Sequence, residues 1–501
     1  MHIGFLNPQG NFDPNDSYWT EHPDFGGQLV YVKEVALAMA AQGHQVDIIT
    51  RQIIDEDWPE FAAPLDQYPD QANVRIVRIP CGPPQFLPKE QLWPYLGPDW
   101  VGGIRKFYQA EGQQPACYTT HYGDGGLAGA ILSQQTGVPF TFTGHSLGAQ
   151  KMDKLRVSPA TLAEIDERFH FAERILAERV SMNRAGRVIT STRQEQLEQY
   201  SHPAYRGAVD VNQEEHFAVI PPGVNRRVFS PKAAEGIDAA IRERIDKAMA
   251  RDLAPDRQDL PLVICSSRLD SKKNHMGLVQ AFVESAELRA AASLAIVVRG
   301  LADPLGQRAQ LSGEEKAILN QIVALLEAHN LRHVVTAFPL NSQAELAAAY
   351  RVAAARRSLF SLTAHYEPFG LAPLEAMSCG LPAVVTRNGG PAESLHDRQS
   401  GREFGVLVDP ADPAAIARGL LQALSSPEAW QRYHQAGLER VVTRYTWDRT
   451  AAAYLAVIEQ IMANPGAVAQ KLPIPPYFTQ PTPANIISLD QLADLYFEGT
   501  E

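Results

Sequence analysis

The chain is poor in cysteine: Cys81, Cys117, Cys265 and Cys379 are the only four in 501 residues, and no two form a C-x-x-C pair. That scatter argues against a zinc site and against a disulfide-stapled scaffold. Long hydrophobic runs are also lacking. The longest, Ala451–Ile458, is less than half of what a membrane span needs. Basic charge is in deficit, since 45 Lys and Arg against 57 Asp and Glu leave a formal net charge of −12. Such a chain has no general attraction to nucleic acid or to an anionic membrane, so an anionic ligand requires a local basic pocket. The opening Met1-His2-Ile3-Gly4 carries neither a basic segment nor a long apolar stretch, so no secretory signal is expected. What remains is ordinary globular composition, 45% hydrophobic and 20% charged. The length implies two or three domains. A cytoplasmic, multidomain protein is the expectation.

Short β-branched runs alternate with helical stretches. Ile3–Leu6 reads as a strand and Gly27–Gln42 as a helix with Leu29, Val32, Ala36, Met39 and Ala40 on one face. Val46–Thr50, Val74–Ile79, Ala116–Thr120, Val138–Phe142 and Arg187–Ser191 are further strands. The pattern restarts after Pro221-Pro222-Gly223, with strands Pro261–Ser266, Ser293–Val298, Val334–Ala337, Ser358–Leu362 and Ala383–Thr386. Helices Met276–Leu288, Ser312–His329, Gln343–Ala354 and Ala372–Cys379 lie between them. Continuous apolar strands separated by helices imply parallel sheets covered on both faces. The fold class is therefore α/β, two doubly wound Rossmann-like units, with ligands expected at the carboxyl ends of the strands where the units face a cleft. The proline-rich stretch from Pro465 to Pro483 cannot be helical throughout, and a short amphipathic segment around Leu489–Phe497 ends the chain.

Several motifs carry chemistry. After the strand Pro261–Ser266, the loop Ser267-Arg268-Leu269-Asp270-Ser271-Lys272-Lys273-Asn274-His275 offers a guanidinium fork and a compact ammonium suited to a diphosphate. The same charges on a solvated turn would simply face water. In Glu367-Pro368-Phe369-Gly370-Leu371, a strand end opens into a helix, where backbone N–H groups can hold an anion. Glu367 and Glu375 can accept from sugar hydroxyls, although acidic residues near a helix start also favour its dipole. Thr386-Arg387-Asn388-Gly389-Gly390-Pro391 says by itself only that the loop is tight. Pro23-Asp24-Phe25-Gly26-Gly27-Gln28 allows close backbone approach at the first helix. Tyr122-Gly123-Asp124-Gly125-Gly126-Leu127-Ala128 fits a relaxed dinucleotide fingerprint but has Gln150 and Lys151 where the acidic partner belongs. Gly144-His145-Ser146-Leu147-Gly148 fits a nucleophile elbow, which makes a serine hydrolase with Ser146 as nucleophile the rival reading. That rival leaves Arg268, Lys273 and Glu375 without a role.

Taken together, Gly26-Gly27-Gln28, the Gly144–Gly148 segment, the Arg268/Lys273 loop and Glu367-x7-Glu375 resemble the retaining nucleotide-sugar glycosyltransferases of the GT-B fold. Leu6-Asn7-Pro8-Gln9-Gly10, Ser17-Tyr18-Trp19, Phe86-Leu87-Pro88-Lys89-Glu90, His121-Tyr122-Gly123-Asp124-Gly125 and Pro221-Pro222-Gly223-Val224-Asn225 resemble the sucrose-phosphate synthases among them. The resemblance runs from Ile3 to about Tyr445. It implies an acceptor-binding domain over 1–222, a nucleotide-sugar-binding domain over 223–445, and helices and a tail over 446–501 that cross back to the first domain.

The implied reaction moves glucose from UDP-glucose, or another nucleotide-glucose, to fructose 6-phosphate with retention. Carried over by motif, Arg268 and Lys273 hold the donor diphosphate, Glu367 the transferred hexose and Glu375 the ribose. Gly27, Phe369, Gly370 and Leu371 belong to the donor side, and His145 contacts the glucose. Gly26 and Gln28 lie on the acceptor side, where Lys89, Lys151 and Arg174, the last on a helix over roughly Pro159–Arg184, hold the sugar phosphate. The family implies no metal and no cofactor beyond the substrates, and small-molecule partners only, with no nucleic acid and no membrane. No D-x-D-x-[TV] phosphatase start occurs, since Asp409-Pro410-Ala411-Asp412 lacks that spacing, so a separate sucrose-phosphate phosphatase is expected to act next. Sucrose synthase, using free fructose, a mannosyl-donor enzyme, a nucleotide-sugar epimerase and a non-catalytic sensor are the alternatives left open.

Overall fold

The apolar runs of the first half become one sheet in a computed structural model of the chain, which describes residues 1–19, 22, 25–464 and 471–497. Pro23 and Asp24 of the first glycine loop and residues 465–470 of the proline-rich stretch lie outside these. The sheet comprises β1 (His2–Leu6), β2 (Gln45–Arg51), β3 (Leu65–Gln67), β4 (Val74–Ile79), β5 (Cys117–His121), β6 (Phe140–Thr143), β7 (Arg187–Thr190) and β8 (Phe217–Val219) in the order β3-β4-β2-β1-β5-β6-β7-β8. All neighbours are parallel except β3, which pairs antiparallel with β4 at the edge. At three residues each, β3 (Leu-Asp-Gln) and β8 (Phe-Ala-Val) are too short to carry a pattern that can be read from sequence.

The second half builds its own sheet from β9 (Leu262–Cys265), β10 (Ser293–Val297), β11 (Val335–Phe338), β12 (Leu359–Leu362), β13 (Ala383–Thr386) and β16 (Val406–Val408), in the order β11-β10-β9-β12-β13-β16. A two-stranded ribbon, β14 (His396–Asp397) with β15 (Arg402–Glu403), stands apart. Strand order reverses beside β1 in the first sheet and beside β9 in the second. At such a switch point the two flanking loops diverge and leave a crevice at the carboxyl edge. The loops after β1 and β5, and those after β9 and β12, are therefore where each unit can take a ligand.

The chain divides into Met1–Pro222 with Trp447–Glu501, and Gly223–Thr446. The helix Trp447–Ala463 belongs to the first unit because its apolar face is buried there: Tyr454 Oη lies 2.9 Å from Tyr31 Oη on the helix Gly27–Ala41 and 2.9 Å from Thr143 Oγ1 on β6. The last described residues pack on the same unit. Phe478 lies against Trp93, a Cβ on Gly97 would meet Phe478 O at 1.9 Å, and Tyr496 donates to Asp153 Oδ1 at 2.5 Å.

Two predicted helices are in fact two pieces each. Met276–Leu288 divides into His275–Glu284 and Ala286–Ala291, because Ser285 turns extended and its hydroxyl caps Leu288 N. The helix over Pro159–Arg184 divides at His170, which takes a left-handed backbone between Leu162–Phe169 and Phe171–Arg184. Both breaks leave the apolar periodicity intact, so the pattern alone gave no sign of them. The glycines of Tyr122–Ala128 prove to be packing glycines: in the helix Tyr122–Thr136, a Cβ on Gly125 would meet Leu6 O at 2.5 Å and one on Gly126 would meet Ser181 Oγ at 2.3 Å.

Candidate active site

In the first unit, the loops at the carboxyl edge enclose a cavity of about 280 Å³ lined by Gln9, Gly26, Gln28, Lys89, Glu90, Trp93, Tyr122, Gly123, Asp124, Ser146, Lys151, Phe169 and Arg174. All five predicted acceptor residues, Gly26, Gln28, Lys89, Lys151 and Arg174, line it together. Gly26 and Gln28 come from the start of the helix Gly27–Ala41, and the three cations each from a different element. Lys89 follows a loop gripped by the buried Arg51, whose guanidinium donates to the carbonyls of Cys81, Pro83, Gln85 and Leu87. Lys151 sits on the helix Gly148–Lys154 with its ammonium 3.9 Å from the Phe169 ring centroid. Burial, and then Arg174, Lys89 and Arg168 against the opposing pull of Glu90, lower the Lys151 pKa. A positive cluster of this kind, assembled at a cost, is relieved by an anion.

Arg174 is fixed by the buried Glu178 one turn on: Nε donates to Oε1 at 2.9 Å, and an Nη donates to Ser146 O. Burial works against its charge, but Glu178 outweighs it and raises its pKa. Glu178 also accepts from Gly148 N at 2.9 Å and from Tyr205 Oη, so one carboxylate caps the helix bearing Lys151 and orients Arg174. At the other side of the cavity the Gln28 amide nitrogen and oxygen and Trp93 Nε1 are buried with no hydrogen-bond partner among the described residues. Buried amides are rarely left so. Nothing stands within 4 Å of a Cβ built on Gly26 or Gly27, so the protein's own packing does not require glycine there. Asp124 was not singled out by sequence. Burial raises its carboxyl to about 7, against the pull of the Gly125 N–H, Arg174 and Lys89.

His145 stands beside this cavity with a left-handed backbone (φ 53°) and its Nε2 2.8 Å from His121 Nδ1. The hydrolase reading fails at Ser146 itself, whose hydroxyl meets no base among the described residues. The imidazole serves His121, and Ser146 Oγ has no hydrogen bond among the described residues; Ser146 contributes only its main chain, N to Gly144 O and O to Arg174. The G-x-S-x-G match is a strand-to-helix turn without a triad.

In the second unit, Lys273 Nζ lies 2.7 Å from Glu367 Oε2, joining the loop after β9 to the loop after β12 across the switch point. Asp270 caps Lys273 N, and Asn274, left-handed at φ 54°, donates from Nδ2 to Thr363 O and Pro410 O. Sequence reasoning missed Asn274 as the post that ties the basic loop to its neighbours. Arg268 does not join Lys273: its side chain is 85% exposed and, among the described residues, reaches only Asp270, at 3.8 Å. Glu367 is seated by a loop the sequence marked only as tight. Glu367 N donates to Asn388 O, Gly390 N donates to Glu367 O, and a Cβ on Gly389 (φ 97°) would meet Glu367 O at 2.1 Å. Gly370, at φ 89°, turns the chain into the helix Leu371–Ser378. Glu375 on that helix is pushed up to about 7 by burial, and its carboxylate has no hydrogen bond among the described residues. Phe369 packs edge-on to Tyr445, leaving the Phe369–Leu371 backbone at the helix start. No helix among the described residues is long and apolar enough to cross a membrane.

Residues 26–211 match the glycosyl transferase 4-like domain and residues 246–440 the glycosyl transferases group 1. A probable sucrose-phosphate synthase from Thermosipho melanesiensis is 44% identical over 92% of this chain and 97% of its own length. One from Vicia faba is 32% identical over 87% of this chain, which spans 45% of that longer plant protein. Among solved structures, sucrose-phosphate synthase from Thermosynechococcus elongatus superposes with a TM-score of 0.61 at 26% identity, covering 92% of this chain and 99% of that one. The chain belongs to the sucrose-phosphate synthase family and is a retaining glucosyltransferase of the GT-B fold.

Proposed function

We propose that the chain transfers glucose from UDP-glucose, or another nucleotide-glucose, to fructose 6-phosphate, giving sucrose 6-phosphate. The observation that carries this reading is the convergence of Lys89, Lys151 and Arg174 on one cavity in a chain of net charge −12. A neutral hexose gains nothing from three cations, whereas a phosphate monoester neutralises them. Gln28 and Asp124 at the same cavity suit the hydroxyls of the sugar.

On the donor side, Arg268 and Lys273 meet the diphosphate, whose charge grows as the glycosidic bond breaks, so their stabilisation is greatest in the transition state. Glu367 holds hexose hydroxyls, Glu375 the ribose, and the Phe369–Leu371 N–H groups complete the anion site. A leaving phosphate oxygen takes the acceptor proton, so no carboxylate base is assigned, and no resident metal or cofactor enters the scheme. The product keeps its phosphate and calls for a separate phosphatase; a cytoplasmic setting suits these substrates.

The experiment is one set of incubations with product analysis: UDP-glucose with fructose 6-phosphate, with fructose, and alone. A phosphorylated disaccharide from the first only supports the reading. Equal use of free fructose makes the enzyme a sucrose synthase, and conversion of the donor alone makes it an epimerase.

A further inference from the structure

His121 and His145 form a pair that the reaction scheme above does not explain. They stand at the ends of adjacent strands β5 and β6, with rings 27° from parallel, centroids 5.1 Å apart, and His121 Nδ1 2.8 Å from His145 Nε2. His121 is wholly buried, stacked on Phe5 at 5.7 Å, and Tyr31 stands edge-on to both imidazoles. Burial drives both rings toward the neutral form, His145 to about 4 and His121 well below its ordinary value. Two neutral imidazoles sharing one hydrogen bond have linked tautomers: one nitrogen must donate and the other accept.

Thr119 decides which. Its buried Oγ1 lies 3.4 Å from His121 Nε2 and has no other hydrogen bond among the described residues. If that hydroxyl only accepted, its own proton would be stranded in the interior. Donation from Thr119 Oγ1 to His121 Nε2 places the His121 proton on Nδ1, which donates to His145 Nε2 and leaves the His145 proton on Nδ1. Every polar atom of the chain Thr119–His121–His145 is then satisfied except His145 Nδ1–H, on the half-buried end of the relay.

We propose that His121 is a positioning residue that fixes His145 as the Nδ1–H tautomer, so that His145 offers the sugar a hydrogen-bond donor and cannot act as a general base. With Nδ1 protonated and Nε2 accepting from His121, the ring has no lone pair to take a proton. This rests on the reading that His145 touches the transferred sugar.

The test is ring-nitrogen NMR on the full-length protein labelled with 15N-histidine, the His145 signals identified by their loss in His145→Gln. In the wild type, His145 should be protonated on Nδ1. His121→Leu should let the Nε2–H form appear and lower kcat about tenfold with an unchanged KM for fructose 6-phosphate. His121→Asn, whose amide N–H can stand where Nδ1–H stood, should recover most of the loss. Protonation of wild-type His145 on Nε2 overturns the tautomer assignment while leaving the sugar contact intact, and needs no variant to fold. A tautomer change in His121→Leu with unaltered turnover overturns the positioning role by removing the sugar contact itself.

Discussion

Lys273 and Glu367 are each other's partner: Nζ and Oε2 lie 2.7 Å apart, so the residue assigned to the leaving diphosphate is neutralised by the one assigned to the transferred hexose. They come from the loops after β9 and β12, strands that pair side by side in the sheet although almost a hundred residues separate them in the chain. The pair keeps an ammonium and a carboxylate side by side at the carboxyl edge of the sheet at little electrostatic cost.

Lys273→Ala or Glu367→Ala should lower kcat by about 10²–10³, as loss of one contact that strengthens in the transition state does. Arg268→Ala should do the same to turnover while leaving the melting temperature unchanged, because its side chain is 85% exposed. Turnover at saturating substrates, with a thermal melt for each variant, checks both. Wild-type rates in the Lys273 and Arg268 variants would remove the donor-site assignment.

For the acceptor pocket, Lys89→Ala, Lys151→Ala and Arg174→Ala should each raise KM for fructose 6-phosphate by about 10- to 150-fold, the range for a hydrogen bond to a charged group. The KM for UDP-glucose should hardly move. The wild type should prefer fructose 6-phosphate to fructose, and the variants should lose that preference.

Glu178 is wholly buried and serves Arg174, Gly148 N and Tyr205 at once. Glu178→Ala strands a guanidinium in the interior and uncaps the helix of Lys151. A loss of about 3–5 kcal/mol in unfolding free energy is expected, as for other broken buried pairs, read from denaturant melts. A loss under 1 kcal/mol, the size of an exposed i,i+4 pair, would mean that the carboxylate is solvated.

Glu375 gives a pH prediction. Burial raises its carboxyl to about 7 in the folded chain, against 4.5 for the ordinary side chain. Between these values the folded state binds more protons than the unfolded state, so this group's contribution to stability falls as pH rises through that window and is fully lost above about 7. Glu375→Gln should therefore raise the melting temperature of the ligand-free protein at pH 8, with the gain fading toward pH 4.5. Hydroxyls of the ribose favour the ionised form, so the donor KM should rise in the wild type as pH falls from 8 to 6 and stay flat in the variant.

Much of the fold is legible in the sequence. The parallel sheets follow from continuous apolar strands, and the division near Pro222 from the restart of the pattern. Lys89, Lys151 and Arg174, far apart in sequence and grouped there by resemblance, do line one cavity. What escaped had no local signature. Arg174–Glu178 has the spacing of any surface ion pair, and only burial makes Glu178 a cap for another helix. Asn388-Gly389-Gly390 looked like any tight turn, and Asn274 like any loop asparagine.

The sequence by itself determined the order of the long central strands and most helices, the residue types at their ends and the family, since these depend on periodicity and on motifs within a few residues. The tertiary structure alone decided that Lys273 meets Glu367 while Arg268 does not, that His145 pairs with His121, and that helices over 159–184 and 276–288 break. Each of those outcomes turns on distances between residues far apart in the chain, or on one backbone dihedral, and neither is written in hydrophobic pattern.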